Sequence, residues 1–115
     1  MNILITGGSG FIGKNLIKQL NKNKNTKLLV ISKSQKILKT NNVHQIILDL
    51  SKLDKFIDKI IAFKPLIVIH LAWEGIPIFT KKNCDINYSN SITLAKMCVK
   101  VPTIKKFISI GSCLE

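Results

Sequence analysis

A chain of 115 residues, 46% of them hydrophobic, is long enough to bury one core and too short for two ordinary domains. Its formal net charge of +12 comes from lysine alone: all 18 basic residues are lysines, scattered apart from the pairs Lys81-Lys82 and Lys105-Lys106. Without arginine to fork onto guanine or phosphate, this charge describes a solvated, nucleotide-friendly surface and argues against a nucleic-acid partner.

Cys84, Cys98 and Cys113 form no CxxC pair and show no metal-ligand spacing with His44 and His70, so no metal site is expected and the cysteines suit a reducing compartment. The N-terminal MNILITGG has no basic n-region and reads as a strand rather than a signal peptide. No stretch approaches the roughly 18 consecutive apolar residues of a membrane span. The expectation is a soluble, cytoplasmic protein with no membrane partner.

Residues 2–6 form a short apolar run that stops at glycine, and residues 14–20 follow with Leu16, Ile17 and Leu20 at helical spacing, giving strand, glycine turn, helix. The polar NKNKNTK breaks that helix. Residues 28–31 form a second strand running into SKSQK, and residues 45–48 a third ending at Asp49. Ser51 offers an N-cap with Asp54 three residues on, and Leu53, Phe56, Ile57, Ile60 and Ile61 fall at i, i+3, i+4, i+7 and i+8 of the clearest helix.

Pro65 ends that helix, and LIVIH, residues 66–70, is an unbroken apolar run of the kind expected for a strand covered on both faces. A loop with Gly75 and Pro77, a helix over residues 85–100 and a last strand over residues 107–110 complete the order β-α-β-(α)-β-α-β-α-β. Such alternation predicts one α/β domain, a doubly wound parallel sheet of about five strands in the order 3-2-1-4-5 with helices on both faces.

The stretch TGGSGFIGK, residues 6–14, marks the site. Gly8 to Lys14 fits the P-loop pattern GxxxxGK, yet Asn15 stands where a hydroxyl must reach Mg²⁺, and Phe11 and Ile12 would more naturally pack down on the sheet than sit in a phosphate nest. Gly8-Ser9-Gly10-Phe11-Ile12-Gly13 satisfies GxGxxG directly after a strand and at a helix start, the context of a Rossmann dinucleotide turn. Gly7 and Gly8 permit the tight turn, Gly10 lets backbone approach the pyrophosphate, and Gly13 lets the helix pack close to the first strand. A P-loop and a purely structural glycine turn are the competing readings.

TGGSGFIG resembles the TGxxGxxG turn of the extended short-chain dehydrogenase/reductases, the NAD-dependent epimerase/dehydratase family that acts largely on nucleotide sugars. The resemblance runs the whole chain: the third strand ends in Asp49-Leu50, the fourth in HLAW where the family has a HLAA-like turn, the next helix carries Asn87, and the fifth strand ends in SIGS. It implies a Rossmann-like fold, an NAD or NADP cofactor, a nucleotide-sugar substrate and hydride transfer.

By that resemblance the backbone at Gly7, Gly10, Phe11, Ile12 and Gly13 would cradle the pyrophosphate. Asp49 would accept from the adenine amino group with Leu50 against the ring, although Asp49 also reads as a solvent-facing cap of the next helix. Leu71, Ala72 and Trp73 would line the crevice near the nicotinamide-side ribose, Trp73 departing from the usual small residue and able equally to pack under the Gly75 loop. His70 would hold loop backbone rather than transfer protons. Asn87 matches the asparagine of the family's NxxGT helix segment.

Ser112, in SIGSCLE, matches the last serine of SSSAxVYG and is the catalytic candidate, its alternative being an ordinary strand-end serine. The family's proton-transferring YxxxK is not found in these residues: Tyr88 is the only tyrosine, with Ile92 four places on. The chain is thus expected to be the N-terminal part of a longer enzyme, incomplete for catalysis, with an open edge at the fifth strand that a homodimer or a partner would cover. A non-catalytic dinucleotide sensor and a degenerate family member are the rival functions.

An NAD-specific site places Asp or Glu at the end of the second strand, roughly 20 residues after the glycine turn. Ser32 stands there, followed by Lys33 and Lys36, which predicts NADP over NAD through attraction of the 2′-phosphate. In the alternative reading SKSQK is a solvated turn whose lysines point away, and the two cofactors bind alike.

Overall fold

The computed structural model describes residues 1–33, 37, 40–75 and 78–110. Lys36 and Ser112, both named above, lie outside the described residues.

Five parallel strands form one sheet: β1 (Asn2–Thr6), β2 (Lys27–Ser32), β3 (Val43–Ile47), β4 (Ile67–His70) and β5 (Lys106–Ser109), in the order β3-β2-β1-β4-β5. This is the predicted Rossmann-like winding. The order reverses between β1 and β4, and open α/β sheets bind ligands outside the carboxyl ends of the strands at such a switch point.

Helix α1 (Phe11–Leu20) covers one face of the sheet and buries Ile17 with Ile3, Ile5, Leu28, Val30 and Val43. A 3-10 helix (Leu50–Phe56), α2 (Ile57–Phe63) and α3 (Lys81–Lys100) cover the other, where Leu4, Leu29, Ile31 and Val68 meet Leu53, Ile60, Leu94 and Met97. Alternate residues of β1 therefore serve opposite layers, as the period of two requires.

Several boundaries differ from the sequence expectation. The helix expected from Ser51 starts instead as a 3-10 turn capped by Asp49, whose Oδ1 accepts the Ser51 N–H at 3.0 Å, and Lys52 is non-helical at φ −109° and ψ 20°. Regular α geometry begins only at Ile57, and Lys64 closes α2 in the left-handed conformation at φ 55°. Helix α3 starts at Lys81 rather than at residue 85, because the Thr80 hydroxyl caps it by accepting the Asn83 N–H at 3.1 Å. Between Ser32 and Val43 the described residues contain no helix.

β4 is less covered than an apolar run suggests: Val68 and His70 are buried, while Ile67 and Ile69 are half-buried. Among the described residues β5 is one of the two sheet edges, opposite β3, and all four of its positions are exposed. No helix among the described residues is long and apolar enough to cross a membrane. No group of three or more His, Cys, Asp or Glu among them is arranged to hold a metal ion.

Candidate dinucleotide site

At the carboxyl ends of β1, β2 and β4 lies a cavity of about 290 Å³ lined by Gly7, Ser9 and Gly10 from the glycine turn, Ser32 and Lys33 from the end of β2, Asp49 and Leu50 after β3, and Leu71, Ala72, Trp73, Glu74 and Asn87 beyond β4. The sheet topology thus brings together most of the residues that the sequence nominates.

The turn is held by close backbone packing. Gly7 has φ +74°, its N–H donates to the Ile31 carbonyl at 2.9 Å, and a Cβ there would meet the Ala72 nitrogen at 2.5 Å. A Cβ on Gly13 would meet the Gly8 Cα at 2.7 Å, so this residue is what lets α1 sit against the turn. Gly10 differs: φ is unexceptional, and a Cβ would touch only the Gly7 carbonyl oxygen at 3.5 Å. The space above Gly10 is thus free of protein, and a side chain would project into the cradle.

Gly10 is the N-cap of α1, and no side chain caps that end or places a carboxylate in its first turn. The first N–H groups of a helix have no intrahelical acceptor, and they stand at the positive end of the helix dipole. An anion such as a pyrophosphate fits this end without displacing any side chain. Phe11 and Ile12 do not pack down on the sheet as expected: they are 85% and 57% exposed. Gly13 and Ile17, one turn apart, take the sheet-facing side of α1, which turns Phe11 and Ile12 outward and leaves backbone as their contribution to the cradle.

A buried chain of side chains underpins the turn from the β4 side. The Thr6 hydroxyl oxygen accepts the Ala72 N–H at 3.3 Å and lies 2.6 Å from His70 Nδ1, while His70 Nε2 lies 3.0 Å from the Ser91 hydroxyl oxygen. If the Thr6 hydroxyl donates to Nδ1, Nε2 carries the proton and donates to Ser91, an assignment that gives every member of the chain a partner. Burial holds the imidazole pKa below its ordinary value, consistent with a neutral ring. His70 therefore links β1, β4 and α3 through side chains, and it is Thr6 that holds the loop backbone. Ser91, four places after Asn87 and so at the threonine position of NxxGT, supplies the hydroxyl that completes the chain, while Asn90 stands at the glycine position.

Asn87, 4% exposed, grips the loop after β4: its Oδ1 accepts the Glu74 N–H at 2.6 Å and its Nδ2 donates to the Glu74 carbonyl at 3.0 Å. Both amide atoms thus position the cavity wall. Ser32 is buried and its hydroxyl pairs with Gln45 Nε2. Lys33 Nζ lies 3.0 Å from Glu74 Oε1 and 3.8 Å from Asp49 Oδ2. The Glu74 carboxylate raises the lysine pKa, and the Ser51 N–H, followed by other nearby groups, lowers that of Asp49.

The description NAD dependent epimerase/dehydratase family matches residues 3–115. The chain belongs to this family. Among solved structures, it is similar to the Bordetella bronchiseptica enzyme WbmG in complex with NAD, at 25% identity and a TM-score of 0.86, covering 99% of this chain and 38% of that one. It is also similar to UDP-glucose 4-epimerase from Thermotoga maritima with UDP-glucose, at 25% identity, a TM-score of 0.76 and coverage of 95% and 37%. A short-chain dehydrogenase family protein from Francisella tularensis gives 27% identity, a TM-score of 0.74 and coverage of 96% and 50%. The chain therefore spans between about a third and a half of the length of these solved structures.

Three lining residues escape the sequence reading. Glu74, Ile31 and Leu48 lie outside every quoted motif, and they enter the cavity because the β4–α3 loop and the ends of β2 and β3 converge there. Only the neighbourhood of Glu74 to HLAW could have drawn attention to it.

Proposed function

We propose that this chain is the nicotinamide-dinucleotide-binding part of a nucleotide-sugar epimerase, dehydratase or reductase. The observation that carries the reading is the protein-free space above Gly10 at an uncapped helix N-terminus, opening into a cavity that reaches Asp49 and Leu50. Backbone of Gly7, Gly10, Phe11, Ile12 and Gly13 would hold the pyrophosphate, Asp49 and Leu50 the adenine, and Leu71, Ala72 and Trp73 the nicotinamide-side ribose, with Asn87 keeping that wall in place.

Bound there, the dinucleotide would supply the hydride acceptor and donor. The chain's own contribution is to bind and orient it. Ser112 is the residue proposed to bond the substrate oxygen, and the tyrosine and lysine of YxxxK are proposed to belong to further chain. On this reading the 115 residues by themselves bind dinucleotide and turn over no sugar nucleotide.

NADP is the proposed preferred form and NAD the alternative. Support comes from the missing carboxylate at Ser32 and from the ammonium of Lys33 at the cavity mouth, with Lys36 as a second candidate. Calorimetric titration of NAD and NADP into the wild type and a Lys33→Ala, Lys36→Ala double variant tests this. Binding of neither dinucleotide overturns the function, and equal wild-type affinities overturn the preference alone.

A further inference from the structure

Lys33 follows the last residue of β2 and Glu74 lies in the loop after β4, so their ion pair crosses the carboxyl end of β1, where the glycine turn leaves the sheet. The two partners are held unequally. Glu74 is fixed through its main chain, N–H and carbonyl both bonded to the buried Asn87. Lys33 carries its ammonium on a four-carbon stem whose side chain is more than half exposed. Glu74 is therefore the member with the anchored backbone and the shorter reach, and the Lys33 ammonium is the more mobile one. Asp49 Oδ2 faces the same ammonium from the third side, so the cluster holds two carboxylates and one lysine, a formal charge of −1.

We propose that Glu74 is a specificity-determining residue for the dinucleotide: its carboxylate holds the Lys33 ammonium across the cavity mouth and competes with a ribose 2′-phosphate for it. The inference rests on the dinucleotide reading above and deepens it. A 2′-hydroxyl needs no cation and leaves the pair intact. A 2′-phosphate, carrying about −1.5 to −2 charges, must draw Lys33 away from Glu74 and then sit beside two uncompensated carboxylates. An exposed ion pair is weak enough to be broken in this way, so Glu74 tunes selectivity rather than blocking NADP outright. Replacing its charge makes the cluster formally neutral and frees the ammonium, while the backbone bonds to Asn87 remain.

The test is the ratio of NADP to NAD affinity, measured by calorimetry on the full chain for wild type, Glu74→Gln, Lys33→Ala and the double variant, at low and high ionic strength. A ratio does not depend on the fraction of protein folded. Glu74→Gln is expected to raise the ratio about tenfold at low salt, with the gain shrinking as salt screens the charges and disappearing in the Lys33→Ala background. An unchanged ratio in Glu74→Gln overturns the inference while dinucleotide binding stands. A gain of equal size with and without Lys33 overturns it as well, because the carboxylate would then repel phosphate directly. If the wild type binds neither dinucleotide, the functional reading falls and this inference with it.

Discussion

His70 Nδ1 lies 2.6 Å from the Thr6 hydroxyl oxygen, which accepts the Ala72 N–H at 3.3 Å, so a buried imidazole and a strand-end threonine together fix the backbone that faces Gly7. Burial lowers the imidazole pKa below 6.5. As pH falls past 6.5 the unfolded chain takes up a proton that the folded chain refuses. Stability is thus lost between that value and the depressed folded pKa, and it is fully present above 6.5. Denaturant midpoints are expected to fall between pH 7.5 and 5.5 in the wild type, and to fall less in His70→Gln, which starts lower at pH 7.5. Equal pH slopes in the two proteins would show that His70 does not carry the effect.

The two ends of the glycine turn should separate folding from binding. Gly7→Ala places a Cβ at φ +74° against the Ala72 backbone and is expected to cost about 2 kcal/mol or more. Gly10→Ala meets no protein closer than 3.5 Å and should change stability by less than about 1 kcal/mol, while weakening dinucleotide binding at least about tenfold. Thermal unfolding and titration of the same samples check both halves. A folded Gly10→Ala with unaltered affinity would remove the pyrophosphate from this cradle.

Asn87→Ala leaves the Glu74 N–H and carbonyl without their partner, at a cost of about 1–3 kcal/mol. It also releases the loop that forms the Leu71, Ala72 and Trp73 wall of the cavity, so dinucleotide affinity is expected to fall along with stability. Asn87→Asp keeps the acceptor but buries a carboxylate against the Glu74 carbonyl, and should lose at least as much as Asn87→Ala. Chemical denaturation followed by titration of the folded fraction measures the two effects, and a much smaller loss in Asn87→Asp than in Asn87→Ala would count against a role for the amide donor.

Burial pushes the Cys98 thiol up to about 11, whereas Cys84 is exposed. At pH 8 about one Cys98 in a thousand is thiolate. Alkylation of the native protein, mapped by peptide mass, should therefore modify Cys84 well before Cys98, and denaturant should remove the difference. Equal native rates would place Cys98 in a more open setting than the packing of α3 describes.

The winding of the sheet is legible in the sequence because each of the first four strands ends at a recognisable chemical mark: glycine after Thr6, Ser32 before a lysine segment, Asp49, and the HLAW turn. The apolar spacing after Ser51 correctly placed Leu53 and Ile60 in the core, even though Asp49 captures the cap and starts a 3-10 turn. Tertiary partners were not legible. Nothing local pairs Glu74 with Lys33, 41 positions earlier, or Ser91 with His70, 21 positions earlier. Nor could periodicity reveal that Phe11 and Ile12 point outward, since that follows from which side of α1 carries Gly13.

β1 sits between β2 and β4, with Ile3 aligned to Leu28 on one side and to Ile67 on the other. The earliest of these five strands to be made is therefore among the last of them to be completed. During synthesis one edge of β1 can pair as soon as β2 emerges, but the other waits for roughly forty more residues, about 2–8 s at 5–20 residues per second. Over that interval an apolar strand has one open side, and the β1–β4 closure that fills it also brings together the two loops of the dinucleotide cavity. A ribosome pausing within that window would prolong the exposure of a strand edge, and aggregation of nascent chains should peak there.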